Sequence, residues 1–481
     1  MIFSNAFRAP RRPRVLFIVE PYPCRSGGLD FEVPFLHFLR QAFILQQSGL
    51  ATCSIICSTE LAKKYSPEIQ TYSPDRAGIS DTQPSNWPEE WESILKGSTS
   101  LAWIGFYKDI FDLAQPDVVY IWNMNETARR LATARGINVL FMEQGYLRSV
   151  SGRRTTIDPQ NYGPLSLFRA SLDSEKLKRP CPKGNAWASD HIVADVFDAS
   201  IHGEGLKRSR KARICVLGQK DDDVNNVLFS NFSCQQEYFQ TVTEALLQVP
   251  EIDITLRPHP LASSASEIKK IAEKSNIGFD TKGADIRHAI GGHDCFITVN
   301  SSAGFEAIAC GRPTLVLGRA GYKAPRQEFT SASHIRDFVD TVKAGNYWTE
   351  DAVNFKSNML DMYVSNFSIP SHFSGSGRIN SEIQSLAMSS SQAGWRRSFT
   401  GQASLISKIL QSSNQFYPEM ESGAIRYLNF LQNSHNSETS KYITELQFEN
   451  SIRISQLALL EAQEPRNPSR NSSDCGQDRQ P

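Results

Sequence analysis

No two of the nine cysteines stand in C-x-x-C spacing, which removes the zinc knuckle and the dithiol redox centre as organising elements. Scattered through predicted strands and helices, they read as small apolar fillers, and neither a disulfide frame nor a metal site is expected. Excess charge is missing too. Lys plus Arg and Asp plus Glu each count 51, so no global field draws in nucleic acid or an anionic membrane. No apolar run approaches the ~18 residues of a membrane span, and residues 1–14 have no signal-peptide h-region. The expected compartment is a reducing cytoplasm. The dinucleotide fingerprint G-x-G-x-x-G is absent, and no D-x-D stands out as a metal-binding motif.

What is present is enough apolar material, 40% of 481 residues, for more than one core. The chain divides into a basic arm at 1–13, a first α/β domain at 14–164, a polar linker at 165–212, a second α/β domain at 213–390, a helical extension at 391–463 and a disordered tail at 464–481. The arm is read as solvated, with acidic lipid as the alternative contact. In the first domain Val15 to Val19 is a buried-strand run leading into a Pro- and Gly-rich loop that ends at Gly28. Phe35, Phe38, Leu39, Ala42 and Phe43 then recur at helical spacing up to Gly49. Residues 51–57 read as a second strand, 65–100 as an irregular excursion with some helix, and 117–122 as a strand ending at Asn123. A helix over 126–135 and a strand over 138–142 follow.

Glu143 opens the stretch E-Q-G-Y-L-R-S-V-S-G-R-R-T-T-I-D-P. A carboxylate and a glycine, Gly145, at the carboxyl end of a parallel strand lie where ligands gather in such folds. Asp158 follows Arg148, Arg153 and Arg154. Held among guanidiniums it would stay ionised, as suits a nucleophile or electrostatic stabiliser; the other reading is a surface Asp-Pro turn. In the second domain the strand 214–217 runs into Gly218-Gln219, and the strand 252–256 into Arg257-Pro258-His259-Pro260. The two prolines stiffen that loop, so His259 beside Arg257 is either a positioned contact for phosphate or carboxylate or a hydrogen-bonded turn residue.

Residues 294–322 form a βαβ unit: strand 295–299, the polar break Asn300-Ser301-Ser302, helix 303–310, and strand 314–317 after Gly311 and Pro313. A helix opening on small residues after a parallel strand points free N–H groups and its positive dipole end at the crevice. Ser301, Ser302 and Gly304 are thus a candidate phosphate cradle, with Glu306 one turn on for ribose hydroxyls. Doubly wound folds also have such turns standing empty.

The ordered set E-x-G-Y-L-R…D-P, R-P-H-P and V-N-S-S-A-G-F-E-A-I-A-C-G-R-P-T-L-V-L-G-x-A-x-Y resembles the bacterial capsule polysaccharide biosynthesis and export family, over roughly residues 14–325. That family includes retaining β-Kdo transferases. The resemblance implies a GT-B-like fold, two Rossmann-like domains facing a cleft, and a donor of CMP-Kdo type as substrate, without a cofactor. It implies the cytidine phosphate on Ser301 and Ser302, His259 on phosphate, Arg257 near the sugar carboxylate and Glu306 on ribose. Asp158 would be the nucleophile and Glu143 the acid/base or an acceptor-orienting group, with Asn300 and Gln219 on the donor side. Gly28, Asn123, Gly145 and Arg148 would line the acceptor side. Implied partners are a nucleotide sugar, a lipid-linked or glycan acceptor and capsule export proteins, at the cytoplasmic face of the inner membrane. Extra Pro and Cys residues after the first strand, and Ser-Gly-Arg-Arg before Asp158, depart from the family pattern and leave the sugar open. A UDP-sugar transferase or 2-epimerase on the same fold, and a non-catalytic export-coupling protein, are the alternatives.

Overall fold

The computed structural model describes residues 11–20, 31–65, 68–79, 87–149, 152–174, 211–280, 286–324, 331–370, 387–388 and 396. Gly28, most of the arm, the linker beyond 174, the helical extension apart from Arg396, and the tail lie outside the described residues. The strands are β1 (Arg14–Ile18), β2 (Thr52–Ile56), β3 (Gln70–Tyr72), β4 (Val118–Trp122), β5 (Asn138–Ser149), β6 (Gly152–Asp158), β7 (Ala212–Leu217), β8 (Ile252–Arg257), β9 (Gly278–Phe279), β10 (Cys295–Thr298), β11 (Thr314–Val316) and β12 (Ser368–Pro370). Seven build one sheet in the order β12-β6-β5-β4-β1-β2-β3, and five build another in the order β11-β10-β7-β8-β9.

The expected α/β class with two mainly parallel sheets is therefore what the chain adopts. Its cause is visible in the strands: Val15 to Ile18 and Val118 to Trp122 are buried along their whole length, as a parallel sheet covered by helices on both faces requires. The helix Glu32–Gln47 turns Phe35, Phe38, Leu39 and Ala42 onto the first sheet and stops before Gly49, whose φ of +68° an L side chain would strain.

Two departures from the sequence reading position everything that follows. First, the strand expected to end at 142 runs on to Ser149 and returns as β6, antiparallel, with Glu143 opposite Thr156 and Phe141 opposite Asp158. The stretch read as a crevice loop is a hairpin projecting beyond the parallel edge. Its period was hidden because a bulge between Gln144 and Arg148 breaks the alternation that marks a strand.

Second, the chain crosses back. After the helices Ala332–Lys343 and Glu350–Met362 it makes a wide turn over Tyr363–Phe367 and adds β12 to the first sheet, Ser368 opposite Thr156. Residues 368–370, assigned by sequence to the second domain, thus belong to the first sheet. Short strands such as β3, β9 and β12 carry too few residues for a periodicity to show.

The crossing explains Gly145. A Cβ there would lie 2.5 Å from the Arg154 carbonyl oxygen and 2.9 Å from the Tyr363 hydroxyl, so glycine is needed for close packing. The Tyr363 hydroxyl accepts from the Tyr146 N–H at 2.8 Å and is 2.6 Å from Thr156 Oγ1. Above it Tyr146 stacks on Phe305 of the second domain, with ring centroids 5.2 Å apart, and Tyr322 meets both rings edge-on. The helix Ser302–Ala309 is thereby packed on the hairpin strand of the other domain, and one apolar cluster runs from the first sheet into it. Tyr363→Phe would leave the buried Tyr146 N–H without its acceptor, a cost of about 1–3 kcal/mol. The midpoint of urea unfolding should fall accordingly, and an unchanged midpoint would show that the joint does not depend on this hydroxyl.

Candidate functional site

The junction between the domains is where the sequence-derived residues converge. From the first domain come Glu143 and Gly145 on the hairpin and Asp158 at its foot; from the second come Asn300, Ser301 and Ser302 after β10. Asn123 stands apart, beyond β4, and Gln219, Arg257 and His259 stand at the carboxyl ends of β7 and β8. For Arg148 the backbone is fixed opposite Arg153 in the hairpin.

Asp158 is 2% exposed and its environment differs from the expected ring of guanidiniums. Oδ1 accepts from the backbone N–H of Gln160 (2.8 Å), Asn161 (3.1 Å) and Leu167 (3.0 Å), and Oδ2 from that of Phe168 (2.9 Å). Asp158 is thus buried and not at the surface, and its carboxylate pins the loop 159–168 at both ends. Burial pushes its pKa up to about 6, against the opposing pull of those amides.

The pinned loop reaches the second domain. The Asn225 side-chain amide donates to the Tyr162 hydroxyl at 2.6 Å, and the Asn300 amide donates to the Asn225 carbonyl at 2.7 Å. Burial raises the Tyr162 pKa well above its ordinary value, and the nearby charges of Glu143 and Asp223 add to this. A line of polar groups, Glu143, Tyr162, Asn225, Asn300 and Ser301, therefore crosses from one sheet to the other. Sequence reasoning passed over Tyr162 and Asn225. Tyr162 lay just past Asp158, and Asn225 sits in a six-residue helix, Val224–Phe229, too short for periodicity to show.

The start of helix 302–309 is organised as expected for a capped N-terminus: Ser301 Oγ accepts from the Ala303 N–H at 3.4 Å, and Ser301 O accepts from the Gly304 N–H at 2.9 Å. Two residues of this helix are tightly packed. Gly304 faces inward, because a Cβ would come within 2.7 Å of Thr298 Cγ2 and 2.8 Å of the Tyr322 hydroxyl; its smallness serves helix–strand packing. Glu306 is 1% exposed and lies close enough to Tyr322 and Cys310 for its charge to help raise both their pKa values. The helix is enclosed almost all round, so periodicity gives no sign of which side Glu306 faces.

Arg257 is 8% exposed and ion-paired with Asp280, a partner with no local signature. His259 is half-buried, and its Nδ1 accepts from the Leu261 N–H at 3.1 Å, so the neutral ring carries its proton on Nε2. Gln219 is buried and its backbone N–H donates to the Gln235 side chain at 2.9 Å. Asn123, with φ +60°, donates to Glu20 at 3.0 Å, and Glu20 also accepts from Trp91 Nε1 at 2.7 Å. Glu20 is a buried carboxylate that the sequence reading left without a role, although a Glu between a strand and a proline-rich loop is a visible signal.

Two mainly parallel sheets meeting along a shared junction define the class: an α/β protein of two sheets covered by helices. More particularly, residues 185–339 match the model of the capsule polysaccharide biosynthesis protein family. No curated protein sequence matches the chain significantly. Among solved structures it is similar to the β-Kdo 2,7 transferase KpsC of Thermosulfurimonas dismutans, at 16% identity, covering 55% of this chain and 88% of that one with a TM-score of 0.35. It is also similar to the spinosyn rhamnosyltransferase SpnG complexed with thymidine diphosphate, at 15% identity, 75% and 98% coverage and a TM-score of 0.36. Staphylococcus aureus MnaA with UDP matches at 10% identity, 72% and 92% coverage and a TM-score of 0.32. No helix among the described residues is long and apolar enough to cross a membrane.

The raised Asp158 pKa has a definite sign. The unfolded chain gives up this proton near pH 4 and the folded chain only near 6, so the folded state binds more protons in between. Stability from this group is full below about pH 4 and is lost as pH rises through 6. The difference in melting temperature between wild type and Asp158→Asn should therefore shift in favour of the variant from pH 4 to pH 7. A difference that stays flat over that window would refute the raised value.

Proposed function

We propose that the protein is a glycosyltransferase of capsule polysaccharide assembly, taking its sugar from a cytidylate-activated, Kdo-type donor and passing it to a lipid-linked or glycan acceptor at the cytoplasmic face of the inner membrane. The observation that carries this reading is the polar line from Glu143 through Tyr162 and Asn225 to Asn300 and Ser301, in a chain whose second domain holds the family match. A donor phosphate against Ser301 and Ser302 would meet the positive end of helix 302–309, with His259 Nε2–H as a further donor on the same domain. Transfer breaks the bond between the anomeric carbon and the phosphate oxygen, the electron pair leaving with the cytidylate. The acceptor hydroxyl forms the new bond and gives its proton to Glu143, the half-buried carboxylate on the hairpin.

Retention of configuration requires a carboxylate that first bonds the anomeric carbon and is then displaced. For Asp158 to do this it must exchange its amide donors for the sugar, whereas pinning the loop requires no movement, and we assign it the second role. Asp158→Asn keeps an Oδ1 able to accept from three amides and should retain turnover within about tenfold, as expected of a positioning residue. Loss by several orders of magnitude at unchanged melting temperature would make Asp158 the nucleophile of a retaining transfer.

Glu143→Gln should lower the rate of CMP release from CMP-Kdo about 10²–10⁴-fold while CMP affinity by calorimetry is unchanged. Release of nucleotide from a UDP-N-acetylhexosamine, and none from CMP-Kdo, would replace this reading with a UDP-sugar enzyme.

A further inference from the structure

A cavity of about 590 Å³ opens between the two domains, away from the start of helix 302–309. Its size falls within the ~300–1,000 Å³ usual for small-molecule sites. The first domain supplies Lys96, Glu126, Arg129 and Arg130, with the Gln160 and Asn161 side of the pinned loop; the second supplies Phe229 and Arg319. None of Asn300, Ser301, Ser302 or His259 lines it.

The charge of this wall is lopsided. Glu126 is held by Arg129 at 2.5 Å and by Arg130 at 3.0 Å. Burial pushes its carboxyl up, but these two guanidiniums outweigh that and hold it below the usual range. One carboxylate thus serves two cations, and Arg130 also donates to the Gly97 carbonyl at 3.0 Å. Facing them, Arg319 is exposed and forms no ion pair among the described residues. Its guanidinium lies 5.5 Å from the Phe229 ring centroid, and its backbone N–H donates to the Phe229 carbonyl at 2.9 Å. Stacking on an aromatic ring fixes the plane of a guanidinium and leaves its N–H fork for a partner.

We infer that this cavity is an oxyanion site that takes an acidic sugar, its phosphate or carboxylate held between Arg130 on one domain and Arg319 on the other. The shared chemistry is a planar or tetrahedral oxyanion on a hydroxylated ring, which two guanidinium forks bind with geometric selectivity. Gln160 and Asn161 supply amide groups suited to ring hydroxyls. This rests on the glycosyltransferase reading only in identifying the occupant as the acidic group of the acceptor; the binding itself does not depend on turnover. Because the two forks belong to different domains, the occupant also bridges them.

The test is ligand-observed NMR titration of the full-length protein with glucose 6-phosphate, glucuronate and glucose at one fixed ionic strength. Both acidic sugars, or one of them, should bind at least tenfold more tightly than glucose, and which one wins names the source of the oxyanion. Binding should weaken as salt rises. Arg319→Ala and Arg130→Ala, both at exposed side chains, should each lower that affinity at least fivefold while CMP binding stays as in wild type. Equal binding of all three sugars, or acidic-sugar binding that neither substitution changes, would overturn the proposal. If CMP fails to bind while the acidic sugar does, the donor reading falls and this site stands.

Discussion

The contact on which the molecule depends is the hydroxyl of Tyr363 set against the backbone of Tyr146. It is made by a chain segment returning from the second domain, and it is possible only because residue 145 has no side chain. Around it four rings, Tyr146, Phe305, Tyr322 and Tyr363, pack with centroids 5.0–5.6 Å apart. Tilted and edge-on arrangements of this kind add to the burial of large apolar area. The polar residues at the junction hold their relative positions because the two domains are fixed there by a hydrophobic core and not by a polar rim.

That arrangement also explains why motif residues divide into two kinds. Gly145 and Gly304 stand in the stretches that most resemble a ligand site, yet each has its smallness accounted for by a neighbouring backbone or ring. Asp158, the residue with the most reactive appearance in the sequence, is taken up by four amides of its own loop. What these residues do is deliver others, chiefly Tyr162 and Glu143, to the junction. A motif at a strand end can thus be required for building a site without touching what binds there.

The helices and the central strands were legible in the sequence because their periods are long and uninterrupted: Glu32–Gln47, Val118–Trp122 and Ser302–Ala309 fall within a residue or two of where pattern and capping place them. The hairpin was not, since its bulge breaks the alternation, nor was β12, whose three residues carry no period and whose partner is far away in sequence. In the site, the strand end was readable for Asn300 and Ser301, whereas Glu143 lies inside β5 and pairs with Thr156. The partners that redirect Arg257 and Asp158, an aspartate on a separate strand end and a set of backbone amides, have no local signature. The cavity residues Arg130 and Arg319 were equally hidden, for they are ordinary surface cations until the two domains are brought face to face.

Arg154 and Ser368 are 214 residues apart in the chain, so the first sheet is assembled from pieces that leave the ribosome at very different times. At ~5–20 residues per second the strand β6 waits on the order of 10–40 s for its outer neighbour. During that interval its unpaired amides and carbonyls form an open template for any other extended chain. The nascent protein therefore passes through a stage in which its first domain is nearly complete yet adhesive, and shielding of that edge during translation becomes part of what the sequence demands of its host.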